Sequence, residues 1–423
     1  MTRNTAKNNM PNPLRRWFLF SAATMLFGLS MFYRSSVAVI TPDLIGDLLL
    51  DVGQLSLITA VFFYAYAAMQ IPIGILLDRI DPVKVMAPLY LAAALGTLLF
   101  AWSESAVWMA AGRLLMGIGM GCSFVGALKI LAIRFSPERF ATLAALVVTF
   151  GGMGTVASTA PLALSSALAG WRASFVAIAL FHIVLVVIFI MSAGHAGAPG
   201  PSRQHPRPAI LPPNIPGGLR LIVMSGDFWL IAAASFIRSG VITAFQGLWA
   251  GPFLIEACGY PPLAAGNMLL VMSLGFIFFG SFSGFLSDRV LKSRKKIMLG
   301  ALLGLFLCLS AFAWMPRETG ILSMGALFLF TGIFAGTGSI PYTHLKELMP
   351  AELVATAMTT MNFFAILGMG VFTQGLGLFM GAFYPGDVLS REAFASAFAL
   401  CAALVLLAVI LYAFTKESHP GGK

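Results

Sequence analysis

Charge is scarce in this chain: Asp, Glu, Lys and Arg make up 10% of its 423 residues, against roughly 25% in an ordinary soluble domain. A water-soluble fold is excluded on that ground. Acids are scarcer still, 16 against 26 basic residues, and each lies in or beside a polar segment, with Asp227 nearest to the interior of an apolar run. The four cysteines, Cys122, Cys258, Cys308 and Cys401, form no CxxC pair. Three lie in apolar runs and Cys258 lies in a polar loop, so neither a disulfide framework nor a cysteine metal site is available. No phosphate-binding loop ending in Gly-Lys-Ser/Thr appears, which argues against direct ATP drive. No Ser/His/Asp set or carboxylate pair suggests an enzyme, so no catalytic residue, metal or cofactor is expected.

Apolar sequence is abundant, at 59%. Runs long enough for ~20-residue spanning helices recur at about 17–41, 55–77, 83–103, 107–133, 140–163 and 172–193, then at 227–253, 263–286, 297–315, 321–344, 353–381 and 393–415. The first exceeds a signal-peptide core and lacks a small-residue cleavage site, so it reads as a retained helix. The pattern predicts an all-α membrane protein of twelve transmembrane helices. Residues 194–222 hold seven prolines and read as a flexible or polyproline-like linker. The expected division is a six-helix bundle over 1–193, the cytoplasmic linker 194–222 and a second six-helix bundle over 223–423.

The net charge of +10 resolves by position. Nineteen of the 26 basic residues fall on segments that share one side with the termini, and three, Arg172, Arg317 and Arg391, fall opposite. Positive residues stay inside, so both termini are expected in the cytoplasm and nucleic acid is not an expected partner. Short loops and compact length fit a multi-pass protein of a bacterial inner membrane, read as a monomer in the lipid bilayer.

The halves echo each other. "GILLDR" at Gly74–Arg79 recurs as "GFLSDR" at Gly284–Arg289, "FYRSS" around Arg34 as "FIRSG" around Arg238, and Pro137 as Pro350. Parallel six-helix repeats place a binding site at the midplane between halves.

These motifs resemble those of the major facilitator superfamily, along the chain from helix 1 to helix 12. The family's loop signature between helices 2 and 3 is matched at Gly74, Leu76, Asp78 and Arg79, whereas Asp81, Pro82 and Val83 depart from it; its copy keeps Gly284, Leu286, Asp288 and Arg289. "GRLLMGIGMG" from Gly112 resembles the helix-4 motif, with Arg113 and Gly117 in place, and "GWRASF" at Gly170–Phe175 resembles the helix 5–6 turn. The resemblance implies a secondary transporter in which Asp78 and Arg79, with Asp288 and Arg289, latch the cytoplasmic side. A boundary glycine at 74 and 284 is expected to let helices approach closely. The plainer alternative is that these charges only end helices and set topology.

Four basic residues remain within the spans: Arg34, Arg113, Lys129 and Arg238. Arg113, in the helix-4 motif, reads as an internal hydrogen-bond organiser. A charge at the bilayer centre costs ~2.5–3.5 kcal/mol on insertion scales, so the other three must face protein or water. With no embedded acid to pair them, a central positive cavity attracts an anion. Snorkelling to a membrane boundary is the rival for Arg34 and more so for Lys129. Tyr33-Arg34 and Arg238 also resemble the arginines with which organophosphate:phosphate exchangers grip phosphate, and the helix-1 pattern of organic anion symporters.

Helical spacing puts Ser235, Arg238, Ile242, Phe245, Gln246 and Trp249 on one face, where the aromatics suit a substrate with an organic body. Tyr66 and Gln70 lie one turn apart on helix 2, and Thr359 and Asn362 on helix 11. The expected substrate set is Arg34, Arg238, Lys129, Tyr33, Tyr66, Gln70, Gln246, Trp249 and Asn362. His182 reads as a packed core histidine, and His344 as a surface group. The expected substrate is a small organic anion, a carboxylate or phosphorylated compound, moved by alternating access either facilitatively or coupled to a proton or an exchanged anion. An amino-acid or peptide carrier, a drug:proton antiporter, and a ligand sensor that transports nothing remain alternatives.

Overall fold

The computed structural model describes residues 13–193, 221–316, 319–350 and 353–418. Apart from its last two residues, the expected linker lies outside these, and so do the side chains of Asp78 and Asp288.

Every regular element among the described residues is helical. Ten helices are long and apolar enough to cross a membrane, and two bent pairs raise the number to twelve. Span one joins α1 (Pro13–Ser35) to α2 (Val37–Leu48) across a 53° bend. Spans two and three are α3 (Val52–Arg79) and α4 (Pro82–Ala101), and span four is α5 (Ala106–Met120) with α6 (Ser123–Arg134). Span five joins α7 (Pro137–Ala157) to α8 (Ala160–Ala169) across a 41° bend, and span six is α9 (Trp171–Ala193). The second half follows the same plan. Span seven is α10 (Gly226–Ala244), continued through π turns at Phe245–Trp249 and Phe253–Ala257; spans eight and nine are α11 (Pro262–Phe285) and α12 (Arg294–Ala313). Span ten is α13 (Ile321–Ala335) with α14 (Ile340–Leu348), span eleven is α15 (Val354–Phe383) and span twelve is α16 (Arg391–Ala413).

Local chemistry sets several helix starts. Asp51 and Gln54 form a reciprocal capping box on α3, Asp81 accepts from Val83 N with Pro82 at the first helical position of α4, and Ser293 accepts from Lys296 N on α12. Each satisfies backbone donors that the helix itself leaves open. The apolar runs do the rest, because a backbone in lipid must bond within itself.

Small residues let the spans meet at backbone distance. A Cβ on Gly117 would lie 2.3 Å from Phe62 O, and one on Gly332 would lie 2.0 Å from Met272 O. The same holds for Gly154 against Gly28 O at 1.9 Å and Gly368 against Phe236 O at 2.3 Å. Spans four and two in the first half thus repeat as ten and eight in the second, and spans five and one as eleven and seven. The "GIGMG" run is a packing surface of this kind.

Twelve crossings return the chain to the side on which it began, here called the terminal side; the other is the distal side. At the distal side the halves interlock. Pro42 has no N–H, so the Ala38 carbonyl receives no helical bond from it; Gly251 of span seven sits against that carbonyl, where a Cβ would be 1.8 Å away. Gly377 of span eleven lies on Ser56 and Trp249, and Gly266 of span eight lies on Ala160 and Ala163. Span seven is buried from Ile237 to Leu254, with Thr243 half-buried, whereas the exposed residues of α1, Leu14, Arg15, Trp17, Phe18, Ser21 and Met25, all lie in its terminal-side half.

Candidate functional site

Arg34 lies near the end of α1, half-buried. Its guanidinium rests on the Tyr66 ring, 4.4 Å from the centroid, a cation–π contact of ~0.5–2 kcal/mol. It forms no ion pair or hydrogen bond among the described residues, and its Nε is buried without a partner. A packed arginine with idle donors differs from a snorkelling one, whose head reaches water or headgroups.

Arg238 lies in α10, 7% exposed. Its Nη1 donates to the Ala335 carbonyl at 3.1 Å, and its Nε is also buried and unpartnered. The carbonyl is open because span ten breaks between α13 and α14, at Gly336–Ser339, where the helical ladder lapses. The expected stripe on span seven does not stay on one face: Arg238 reaches Ala335 of span ten, whereas Phe245 packs on Phe312, Phe328 and Phe398 of spans nine, ten and twelve. Gly247 and Gly251 instead look at span one. The two arginines therefore do not oppose each other helix face to helix face.

Tyr342 joins them. This residue, on α14, lies within electrostatic reach of Arg34, Arg238 and Tyr66. Its hydroxyl donates to Asn362 Oδ1 at 2.7 Å, Asn362 Nδ2 donates to Gln70 Oε1 at 3.4 Å, and Gln70 Nε2 donates to Gly121 O at 3.2 Å. The chain of bonds crosses from the second half to the first and ends on the break in span four. Arg34, Tyr66, Gln70, Asn362 and Arg238 were expected at the site and are brought together; Tyr342 was not expected. The signal available for it was "GTGSIPY", two glycines and a proline interrupting an apolar run.

Other expected ligands are placed elsewhere. Tyr33 is fully buried in the first bundle, where its hydroxyl meets His182 Nδ1 at 3.1 Å and accepts from Thr97 at 2.9 Å. One residue along a helix turns a side chain by about 100°, which separates it from Arg34. Trp249 is fully buried at the distal seam and donates to Thr373 O at 3.2 Å, and Gln246 donates to Ser273 at 2.9 Å inside the second bundle. A π turn adds residues to the ring of each hydrogen bond and so rotates the following positions off an α-helical register. Lys129 is half-buried on α6, four residues beyond exposed Val125.

Arg113, expected as an internal hydrogen-bond organiser, sits inside the first bundle. It is fully buried, donates to Tyr33 O at 2.7 Å and Thr59 O at 3.4 Å, and lies 4.7 Å from the Phe62 ring centroid. His182 is packed, as read. His344 is not on the surface: it is fully buried, its Nδ1 at 2.7 Å from the Tyr412 hydroxyl and its Nε2 at 2.9 Å from Lys416 O. An aromatic partner from span twelve, 68 residues away, made the difference.

At the terminal side, Gly74 and Gly284 have open space where a Cβ would stand, so the expected close approach is not made there. Arg79 is exposed, and Arg289 is exposed with its guanidinium 5.6 Å from the Phe285 ring centroid. Arg294, in the basic run that follows, is buried and ion-paired with Glu347 at 3.0 Å, which joins spans nine and ten.

Comparison with known proteins agrees with this architecture. The chain is 24% identical over 41% of its length to the uncharacterized transporter YybO of Bacillus subtilis (strain 168), a match spanning 40% of that protein. It is 23% identical to a "Probable hexose phosphate transport protein" of Chlamydia pneumoniae, covering 92% of this chain and 90% of the relative. Its fold superposes on a bacterial homologue of the human lysosomal transporter Spinster, in an inward-facing and occupied conformation, with a TM-score of 0.74 at 17% identity over 96% and 97% of the two chains. The Major Facilitator Superfamily model matches residues 20–373, and the chain belongs to that family of membrane transporters.

Proposed function

We propose that this transporter moves a small organic anion, a carboxylate or phosphorylated compound, across a bacterial inner membrane by alternating access of its two six-helix halves. One observation carries the reading. Arg34 and Arg238 each keep a buried Nε with no acceptor, and neither has an ion-pair partner among the described residues. Isolated buried charge is costly, and a ligand anion supplies the missing acceptors in a setting where charge-assisted bonds are strong. The hexose phosphate protein of Chlamydia pneumoniae, by its name, carries a substrate of this chemistry.

The sealed distal side and the open space beside Gly74 and Gly284 fit a state in which the site faces the cytoplasm. In the opposite state these glycines, with Asp78, Arg79, Asp288 and Arg289, form the terminal-side contact. Coupling follows from charge: without a carboxylate at the centre of the spans to carry a proton, the substrate anion moves alone down its gradient, exchanges for another or brings its own proton.

Uptake into proteoliposomes tests the assignment. Arg34→Ala and Arg238→Ala each abolish uptake of the cognate anion with normal expression and folding. Retained uptake with an unchanged half-saturation concentration in both variants overturns it.

A further inference from the structure

Spans three and four are locked together by two glycines. A Cβ on either Gly96 or Gly112 would lie 2.7 Å from the other's carbonyl oxygen. Beyond that contact, at the distal end of the pair, a cleft of about 310 Å³ opens between Leu99, Trp102, Ser103, Glu104 and Trp108. Its volume lies at the lower end of the ~300–1,000 Å³ typical of small-molecule sites. Trp102 and Trp108 are 66% and 60% exposed, on the rim where the apolar spans give way to a polar turn.

Interfacial tryptophans commonly serve as plain membrane anchors, a role that fits Trp314 at the distal end of span nine, which is 85% exposed. The cleft differs in carrying a carboxylate alongside its indoles. Glu104 is exposed and makes no hydrogen bond or ion pair among the described residues, whereas Asp43 and Asp47 on the same side accept from Ser166 and Trp171. Indole faces attract a cation through their quadrupole, and an idle carboxylate adds a full charge. The cleft is therefore suited to an ammonium group. A partner for an anion stands next to it: Ser103 O accepts from Arg172 Nη2 at 3.3 Å, and Arg172, paired with Asp47, keeps its side chain 39% exposed. Toward the bilayer interior, Leu99 is followed by Leu95 and Leu91 at steps of four residues, on one helical face. Leu95 and Leu91 are exposed, so an apolar track leads away from the cleft.

We propose that this cleft is a lipid site, which holds the ammonium of a zwitterionic phospholipid of the distal leaflet against Glu104, Trp102 and Trp108, with the phosphate toward Arg172 and an acyl chain along Leu99, Leu95 and Leu91. Charge and position together select the occupant. A free anion meets Glu104 as a like charge. An anionic lipid supplies a phosphate for Arg172 yet leaves Glu104 and the indoles without a cation, and a small soluble amine fills the cage but not the apolar track. The bound head braces the turn between spans three and four, which Arg172 already ties to Asp47 at the end of span one.

Titration of the purified full-length protein in detergent, read by native mass spectrometry, tests it with phosphatidylethanolamine, phosphatidylglycerol and O-phosphoethanolamine. The wild type binds phosphatidylethanolamine at least about tenfold more tightly than phosphatidylglycerol, which has the phosphodiester without the ammonium. O-phosphoethanolamine, the head without acyl chains, binds at least about tenfold more weakly than the lipid. Glu104→Gln lowers the affinity for phosphatidylethanolamine by about tenfold and leaves that for phosphatidylglycerol unchanged. Replacing Trp102 and Trp108 together by Ala has the same effect, while Trp314→Ala changes neither. Equal wild-type affinity for the two lipids overturns the site, whether or not any variant folds. A preference that survives both Glu104→Gln and the double tryptophan substitution overturns it too. A loss in Trp314→Ala as large as in the double variant reduces the tryptophans to membrane anchors and overturns the cage. O-phosphoethanolamine that binds as tightly as the lipid overturns the lipid assignment in favour of a soluble amine.

Discussion

Gly251→Ala should pry open the distal side. In the structure a Cβ at 251 would lie 1.8 Å from the Ala38 carbonyl oxygen, and real Cβ atoms stop at about 3.0 Å, so spans one and seven must part by about 1.2 Å. Neither side yields easily. Ala38 O is backbone, and the Cα–H···O contact that Gly251 makes with it is replaced by a clash. Overpacking of a tight contact typically costs 1–3 kcal/mol, and the cost falls only on the state in which the distal side is shut. At about 2 kcal/mol the ratio of distal-closed to distal-open protein drops roughly 30-fold. The assay is thiol labelling from the distal side at Ser56→Cys, a fully buried position against Gly377 and Trp249, in a Cys258→Ser background because native Cys258 is half-exposed. Gly251→Ala should raise the labelling rate by about an order of magnitude or more. Unchanged labelling in a folded, inserted variant refutes the claim that this glycine contact shuts the distal side.

Three further outcomes are expected. Arg113→Ala removes two backbone hydrogen bonds and a ring contact from the first bundle, and should lower stability by about 3 kcal/mol or more, seen as a lower melting temperature in detergent, with ligand affinity in the surviving folded fraction unchanged. Tyr342→Phe deletes the hydroxyl that bonds Asn362 and should weaken substrate binding several-fold, by about 1 kcal/mol, without a change in melting temperature; equal affinity would remove Tyr342 from the site. His344→Ala breaks the ties to Tyr412 and Lys416, costing about 1–3 kcal/mol, and should make the segment after span twelve sensitive to limited proteolysis while leaving anion binding intact.

The span pattern was readable to within a few residues at most ends, with span one running on to Leu48 and span five to Ala169, because a lipid-crossing helix needs an apolar run of set length and polar loops interrupt it. Arg34, Arg238 and Arg113 were readable for the same reason, as charges where none belong. Side-chain direction was harder. Tyr33 and Trp249 sit beside site residues in the chain yet face bundle interiors, and the π turns after Ala244 shift the register that a 3.6-residue period assumes. His344 looked like a surface group because its partner, Tyr412, belongs to a different span.

Membrane class, twelve spans, a repeated half and an uncompensated positive centre all follow from the order of residues, since each depends on local hydropathy and on charge at a given depth. Which polar groups converge, and which side of the bundle is shut, follow from packing between spans far apart in the chain. Ala38 meets Gly251 and Gln70 meets Asn362 only when the two halves close on each other. The scarcity of acids announced that some positive charge would go unpaired, and the fold placed it beside a broken helix.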